Sequence, residues 1–289
     1  MDITLRPARP DDHAAVARIV FDAFGWIAKE HNFPLDFPVP QAAEGMAQMA
    51  LSHPKWFGVV AEVDGKVVGS NFLDQRDAIA AVGPITVDPA THCKGIGRRL
   101  MRAVMERARE SGAPGTRLVQ EPHNTISLPL YASLGFDVKE PLALMTGKVR
   151  IGPSPGATVR PVTDADVPAC ADLCRRVHGF DRANELRDAL AHFRPHLVER
   201  DGRITAYASA PAFWIGNHGV AESEPDLHDL LAGASAAFPE PLALLVPTRQ
   251  ANLFRWCLAH GLRYVKPMTL MAMGEYHEPR GAFWPSVGY

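Results

Sequence analysis

With 289 residues, 47% hydrophobic and 21% charged, the chain is long enough for two medium domains. Lys and Arg total 30 against 32 Asp and Glu, so a formal net charge of −2 leaves no positive field for a dedicated nucleic-acid partner. No apolar stretch approaches the ~18–20 residues of a membrane span, and the opening Asp2-Ile3-Thr4-Leu5-Arg6-Pro7 lacks the basic-then-apolar pattern of a leader, so no membrane partner and a cytoplasmic location are expected.

In chain order, a short strand around Thr4 to Pro7 leads into a helix opened by Asp11 and Asp12, with Ala15, Ile19, Val20 and Phe24 at helical spacing. A second helix is predicted over 41–51. The period then changes: strands over 56–63 and 66–73 flank Asp64-Gly65, a pair that favours a two-residue hairpin. A strand over 80–87, a loop, and a long helix over 95–111 stopped by Gly112 follow. A strand at 116–120, a helix at 125–133 ended by Gly135, and two short strands complete the first half.

The chain then echoes itself. Thr4-Leu-Arg6-Pro7 with Asp12 returns as Thr158-Val-Arg160-Pro161 with Asp166, and Gly135, Pro141, Leu144 and Met145 return as Gly261, Pro267, Leu270 and Met271. The Pro/Gly/Ser-rich stretch around Gly152-Pro153-Ser154-Pro155-Gly156 separates the copies. We therefore expect a first domain over 1–148, a linker over 149–157, a second domain over 158–274 and a tail over 275–289. The fold class is mixed α/β, each domain a mostly antiparallel sheet flanked by helices.

The most informative segment is Ile85-Thr86-Val87-Asp88-Pro89-Ala90-Thr91-His92-Cys93-Lys94-Gly95-Ile96-Gly97-Arg98-Arg99-Leu100. Two glycines let the backbone turn tightly beside a ligand, and the N–H groups at the start of the following helix face its positive end, a site suited to a pyrophosphate. Lys94, Arg98 and Arg99 add positive charge there. The segment is not a Walker loop, which needs G-x-x-x-x-G-K-[ST]. Nor is it a dinucleotide fingerprint, because Leu100 stands where a third small residue is required.

What it resembles is the acyl-CoA loop of the GCN5-related N-acetyltransferases (GNAT), Gln/Arg-x-x-Gly-x-Gly/Ala, present here as His92-x-x-Gly95-x-Gly97 with His92 as the departure. Asn124-Thr-Ile-Ser-Leu-Pro-Leu-Tyr131-Ala-Ser-Leu134-Gly135-Phe136 resembles the same family's Asn…Tyr…Leu-Gly-Phe signature. The resemblance covers about residues 4–147, with weaker traces to about 274. It implies two tandem GNAT-like domains and acetyl-CoA as acyl donor. The strand Ile85, Thr86 and Val87, the loop His92, Cys93, Lys94, Gly95, Ile96, Gly97, Arg98 and Arg99, and Asn124 would bind the cofactor. Val87 would offer its N–H to the thioester oxygen, and Tyr131 would be general acid to the leaving thiolate. Asn124 alternatively serves only as a helix cap, and Tyr131 as a packing residue.

The implied reaction moves an acetyl group to a primary amine, with a small-molecule acceptor expected. The strand before the loop contains no acid, so Asp74, Asp77, Glu121, His123 and a water relay stay open as the base. In the second half, Gly219 to Asp229 holds the loop's place without Gly-x-Gly and carries Glu222, Glu224, Asp226 and Asp229, which suit a helix start but repel a pyrophosphate. Gln250 and Cys257 stand where Asn124 and Tyr131 do in the first half. This half reads as a degenerate copy. Phe213, Trp214 and the tail's Phe283-Trp284 are either core or the lining of an acceptor site. The 12 histidines are scattered without paired metal-ligand spacing, so no metal is expected. A non-catalytic acyl-CoA-binding or sensory module and a nucleotide-dependent enzyme are the competing readings.

Overall fold

The computed structural model describes residues 2–91 and 95–288. In order the elements are β1 (Ile3–Pro7), α1 (His13–Glu30), α2 (Pro40–Ser52), β2 (Trp56–Val63), β3 (Lys66–Asp74), β4 (Ala80–Val82), β5 (Thr86–Val87), α3 (Ile96–Glu110), β6 (Gly115–Gln120), α4 (Ser127–Ser133) and β7 (Asp137–Gly147). The second half adds β8 (Thr158–Pro161), α5 (Val167–His178), α6 (Ala183–His192), β9 (His196–Arg200), β10 (Arg203–Ala208), β11 (Gly219–Ala221), α7 (Glu224–Ala237), β12 (Leu242–Pro247), α8 (Ala251–Ala259), β13 (Leu262–Gly274) and β14 (Ala282–Trp284).

The chain forms two compact units. The first runs to Arg117 and takes in His123–Leu130; the second holds Leu118–Pro122 and everything from Tyr131 onward. In the first, the strand order is β1-β2-β3-β4-β6, with β5 paired to β3. The β2–β3 hairpin closes where the sequence predicts, with Asp64 at φ +50° and Gly65 at φ +74°, the left-handed pair that a twisted two-residue turn requires. Val16, Val20, Ala43, Ala47, Val60 and Phe72 form one apolar cluster between α1, α2 and the sheet.

The second unit contains two sheets. Gln120's strand end, β13, β7 and β12 follow one another in one, and β14-β11-β10-β9-β8 make the other. Leu227, Leu230, Val198, Ala206, Leu244, Val246 and Trp284 bury the space they share with α7 and α8.

Two expected elements come out differently. The strand predicted over 80–87 is broken into β4 and β5, because Gly83 at φ +135° and Pro84, joined by a cis peptide, interrupt it. Pro84 also has no N–H to give to a ladder. The two short strands expected after Gly135 are one long strand, β7, paired along both edges with β12 and β13.

Candidate acyl-CoA site

The first unit prepares a backbone edge. Val87 lies opposite Gly69 and Thr86 opposite Ser70, and the Asp88 N–H donates to Val68 O over 2.9 Å. In an antiparallel ladder successive residues aim their N–H groups to alternate sides. The Val87 N–H and C=O therefore face away from β3, and on that side β5 has no strand neighbour among the described residues. Six residues earlier the geometry is different: Ala80 and Ala81 pair in parallel with Thr116 and Arg117 of β6. The Gly83–Pro84 break separates the paired stretch from the open one. Ile85 is half-buried, and Thr86 is buried with its hydroxyl 3.2 Å from that of Ser70.

Gly95 caps the following helix at φ +91°, a left-handed conformation natural to glycine, and among the described residues no side chain caps α3 there. The first N–H groups of an α-helix lack intrahelical acceptors, and they carry the positive end of its dipole. Arg98 is half-buried and Arg99 exposed on that first turn. Gly97 packs closely: a methyl group there would lie 3.4 Å from Leu130 Cδ2. Ile96, Leu100, Met101, Val104 and Ala108 bury the opposite face of α3. His92, Cys93 and Lys94 lie outside the described residues.

Three residues not anticipated from the sequence shape this site. A Cβ on Gly69 would stand 2.9 Å from Thr86 O and 3.2 Å from Leu100 Cδ1, so glycine permits β5 and α3 to settle together on β3. Arg18 of α1 donates to Asp88 over 2.8 Å, and the Ala90 N–H donates to the same carboxylate over 2.9 Å, fixing the loop's beginning. Burial alone would raise the Asp88 carboxyl, but these bonds and the charge of Arg18 outweigh it and hold the group below its ordinary value. The close approach at Gly69 follows a Val-Val-Gly-Ser stretch, where a glycine inside a strand is a signal of it.

Asn124 caps α4 with its Oδ1, which accepts from the N–H groups of Ile126 and Ser127, each over 3.1 Å. Tyr131 belongs to the second unit, where it is buried with its ring edge-on to Phe136, the centroids 6.4 Å apart. Burial raises its phenol above the ordinary tyrosine value, so the group stays protonated.

The open base candidates separate by their partners. Asp74 is buried and takes hydrogen bonds from Arg76 Nε and Nη2 at 2.9 and 2.6 Å. Glu121 forms a buried ion pair with Lys266. His123 lies against His31 and Phe33, its ring tilted to both, with centroids 4.7 and 4.5 Å away. Among the described residues no group of His, Cys, Asp and Glu is arranged to hold a metal ion.

The corresponding helix start in the second half is built against anions. Ser223 caps α7, accepting from the Asp226 N–H, and Arg200 bonds to Asp226 over 2.9 Å and to Asp229. The charges of Asp226 and Asp229 are satisfied within the chain. Cys257 is buried, and burial pushes its thiol up to about 12, which leaves it unreactive. Phe283 and Trp284 are core residues, while Phe213 is exposed and stacks on Phe193 at 4.4 Å.

Residues 21–136 match the model of the acetyltransferase (GNAT) family. The chain carries a GNAT domain. The match contains the β5 edge, the Gly95 turn, α3, Asn124 and Tyr131. The chain also aligns with mycothiol acetyltransferases: that of Segniliparus rotundus is 24% identical over 135 residues, 45% of this chain and 49% of the relative. That of Nocardia farcinica is 27% identical over 134 residues, 45% of this chain and 43% of the relative. The chain spans about half the length of the curated relatives it matches. Solved structures extend the likeness beyond the GNAT domain, as a likeness of fold. A provisionally assigned acetyltransferase from Pyrococcus horikoshii overlays with TM-score 0.75 at 17% identity, covering 99% of this chain and 95% of that one. A tandem GNAT protein from the clavulanic acid biosynthesis pathway overlays with TM-score 0.59 at 15% identity, covering 94% and 98%. Both halves of the chain thus take part in a tandem GNAT fold. Among the described residues no helix is long and apolar enough to cross a membrane.

Proposed function

We propose that the chain is an N-acetyltransferase that moves an acetyl group from acetyl-CoA to the primary amine of a small molecule, with the GNAT domain of the first half as the cofactor-binding part. The observation that carries this reading is the pairing of an outward-facing Val87 N–H with a glycine-led helix start nine residues later. A pantetheine arm, which carries amide groups, suits the open backbone edge at Ile85, Thr86 and Val87. A pyrophosphate suits the N–H groups of Ile96, Gly97 and Arg98 after Gly95, with Arg99 and Lys94 adding charge and His92 and Cys93 within the same loop. Asn124 holds the start of the Tyr131 helix.

In the transfer, the Val87 N–H donates to the thioester oxygen as charge gathers there. The amine nitrogen bonds to the carbonyl carbon and the carbon–sulfur bond breaks. Tyr131 donates its phenolic proton to the departing sulfur and is reprotonated by the proton the amine gives up, relayed through water. With Asp74 and Glu121 engaged by Arg76 and Lys266, a water relay is the favoured route for that proton.

Acetyl-CoA titrated into the full chain should bind, and an amine library should release free thiol in its presence. Binding without thiol release from any amine would leave a non-catalytic acyl-CoA-binding protein. Preference for ATP or NAD over coenzyme A would overturn the reading altogether.

A further inference from the structure

The second half contains a counterpart of the Val87 edge, and it is already filled. Val87 lies opposite Gly69 with the Asp88 N–H bonded to Val68 O; Ala221 lies opposite Ala206 with the Glu222 N–H bonded to Thr205 O. By the same alternation, the Ala221 N–H and C=O face away from β10. There they meet a strand: Ala221, Val220 and Gly219 pair with Ala282, Phe283 and Trp284 of β14, which also lies against β12. In the first unit the strand corresponding to β12 is β6, which pairs directly with β4. In the second, the chain's own C-terminal segment stands in the opening.

The fit is built from several sides. Gln250, which follows Asn124 by 126 residues as Gly261 follows Gly135, clamps the Phe283 backbone with both ends of its amide: Nε2 donates to Phe283 O over 2.7 Å, and Oε1 accepts from Phe283 N over 3.2 Å. Trp284 Nε1 donates to Asn217 Oδ1 over 2.6 Å, and Asn217 is itself tied to Ala243 O of β12 over 2.7 Å. Gly219 makes room for the indole, since a Cβ there would fall 2.3 Å from Trp284 Cη2. Arg182, buried, donates to Ser286 Oγ over 3.0 Å.

We propose that the cleft between β11 and β12 is a peptide-binding groove, specific for an extended segment with a tryptophan, and that residues 281–286 are its resident ligand. Backbone pairing supplies the general affinity of such strand addition, and the Trp284 slot and the Gln250 clamp supply selectivity. Resting on the reading of the Val87 edge as the pantetheine site, the proposal also means that the chain binds one acyl-CoA, in its first half, because the second half's equivalent edge is occupied by peptide.

Calorimetry on the full chain should give one equivalent of acetyl-CoA, and two equivalents would overturn the single-site claim. No binding at all would refute the acyl-CoA reading instead, leaving the groove to be judged by two further measurements. In hydrogen exchange of the full chain, Gln250→Leu should speed exchange of the Phe283 amide at least tenfold, while amides of β2 and β3 keep their rates. An unchanged Phe283 amide would reject the clamp. With a protease site inserted in the exposed 275–278 stretch, the cut tail should stay bound through gel filtration. Once displaced, a synthetic 280–288 peptide should rebind at least tenfold more tightly than its Trp284→Ala form. Equal binding of the two peptides, or no rebinding to a folded body, would overturn the groove.

Discussion

Arg160 grips Asp166 as Arg6 grips Asp12, 154 residues earlier. Arg6 Nη1 and Nη2 donate to Asp12 over 2.8 and 2.7 Å, and Arg160 makes the same pair of bonds to Asp166, each over 2.8 Å. Each arginine also reaches a carboxylate on the neighbouring strand, Glu62 or Glu199. Hydrogen bonds from the arginines hold both aspartates below their ordinary range. Groups depressed in this way stabilise the fold above the unfolded value of about 4, and that stability is lost as pH falls through the folded values. Urea denaturation of Arg6→Ala and Arg160→Ala between pH 2 and 7 should show a flatter acid limb than the parent. Curves parallel to the parent would mean that the pairs do not couple to folding.

Tyr131→Phe removes the phenolic donor and keeps a ring of the same shape in its buried place. The kcat should fall by about 10²–10⁴-fold, with the Kd for acetyl-CoA and the Tm nearly unchanged. Because burial raises the phenol, the parent rate should not fall through loss of this donor as pH rises toward 10. A Tyr131→Phe variant that turns over at the parent rate would remove Tyr131 from the mechanism.

Gly69→Ala places a methyl group against Thr86 O and Leu100 Cδ1, at 2.9 and 3.2 Å. Relief requires β5 or α3 to shift, at a cost of about 1–3 kcal/mol. Acetyl-CoA affinity should weaken together with stability. Val68→Ala, a change on the same strand that does not crowd β5, serves as the control: a comparable loss of affinity there would dissociate the effect from crowding.

Lys266 and Glu121 form a buried ion pair, Lys266 being 1% exposed. Lys266→Met leaves a buried carboxylate without its cation and should cost about 3–5 kcal/mol of stability. Adding Glu121→Gln removes the stranded charge, so the double variant should recover most of the loss in chemical denaturation. If the double variant is no more stable than the single one, the pair is not the source of the effect.

Local patterns carried much of the fold. Asp64-Gly65 names its own turn, Asn124 its own cap, and the repeated Thr-x-Arg-Pro…Asp marks two strand-to-helix entries whose ion pairs turned out alike. The turn before α3 was legible at Gly95, whose left-handed conformation needs only the absence of a side chain. Long-range relations were not. Lys266 meets Glu121 from 145 residues away, and Arg18 meets Asp88 from 70. β14 is three residues long and followed by Pro285, too short for a period to be read; its partners and the Gln250 clamp, not its own composition, make it a strand. The Gly83–Pro84 interruption was visible as a dipeptide, yet an apolar run on either side of it reads as one continuous strand.

The last strand of the first half, β7, makes its ladders with β12 and β13 rather than with β1 to β4. The halves follow one another in sequence, but folding has traded their ends. A gene truncated just after residue 147 would encode the candidate loop together with an eleven-residue strand stripped of both its neighbours, an exposed edge that invites aggregation. The first half is therefore no portable cassette: whatever chemistry it performs can be engineered only with the second half attached.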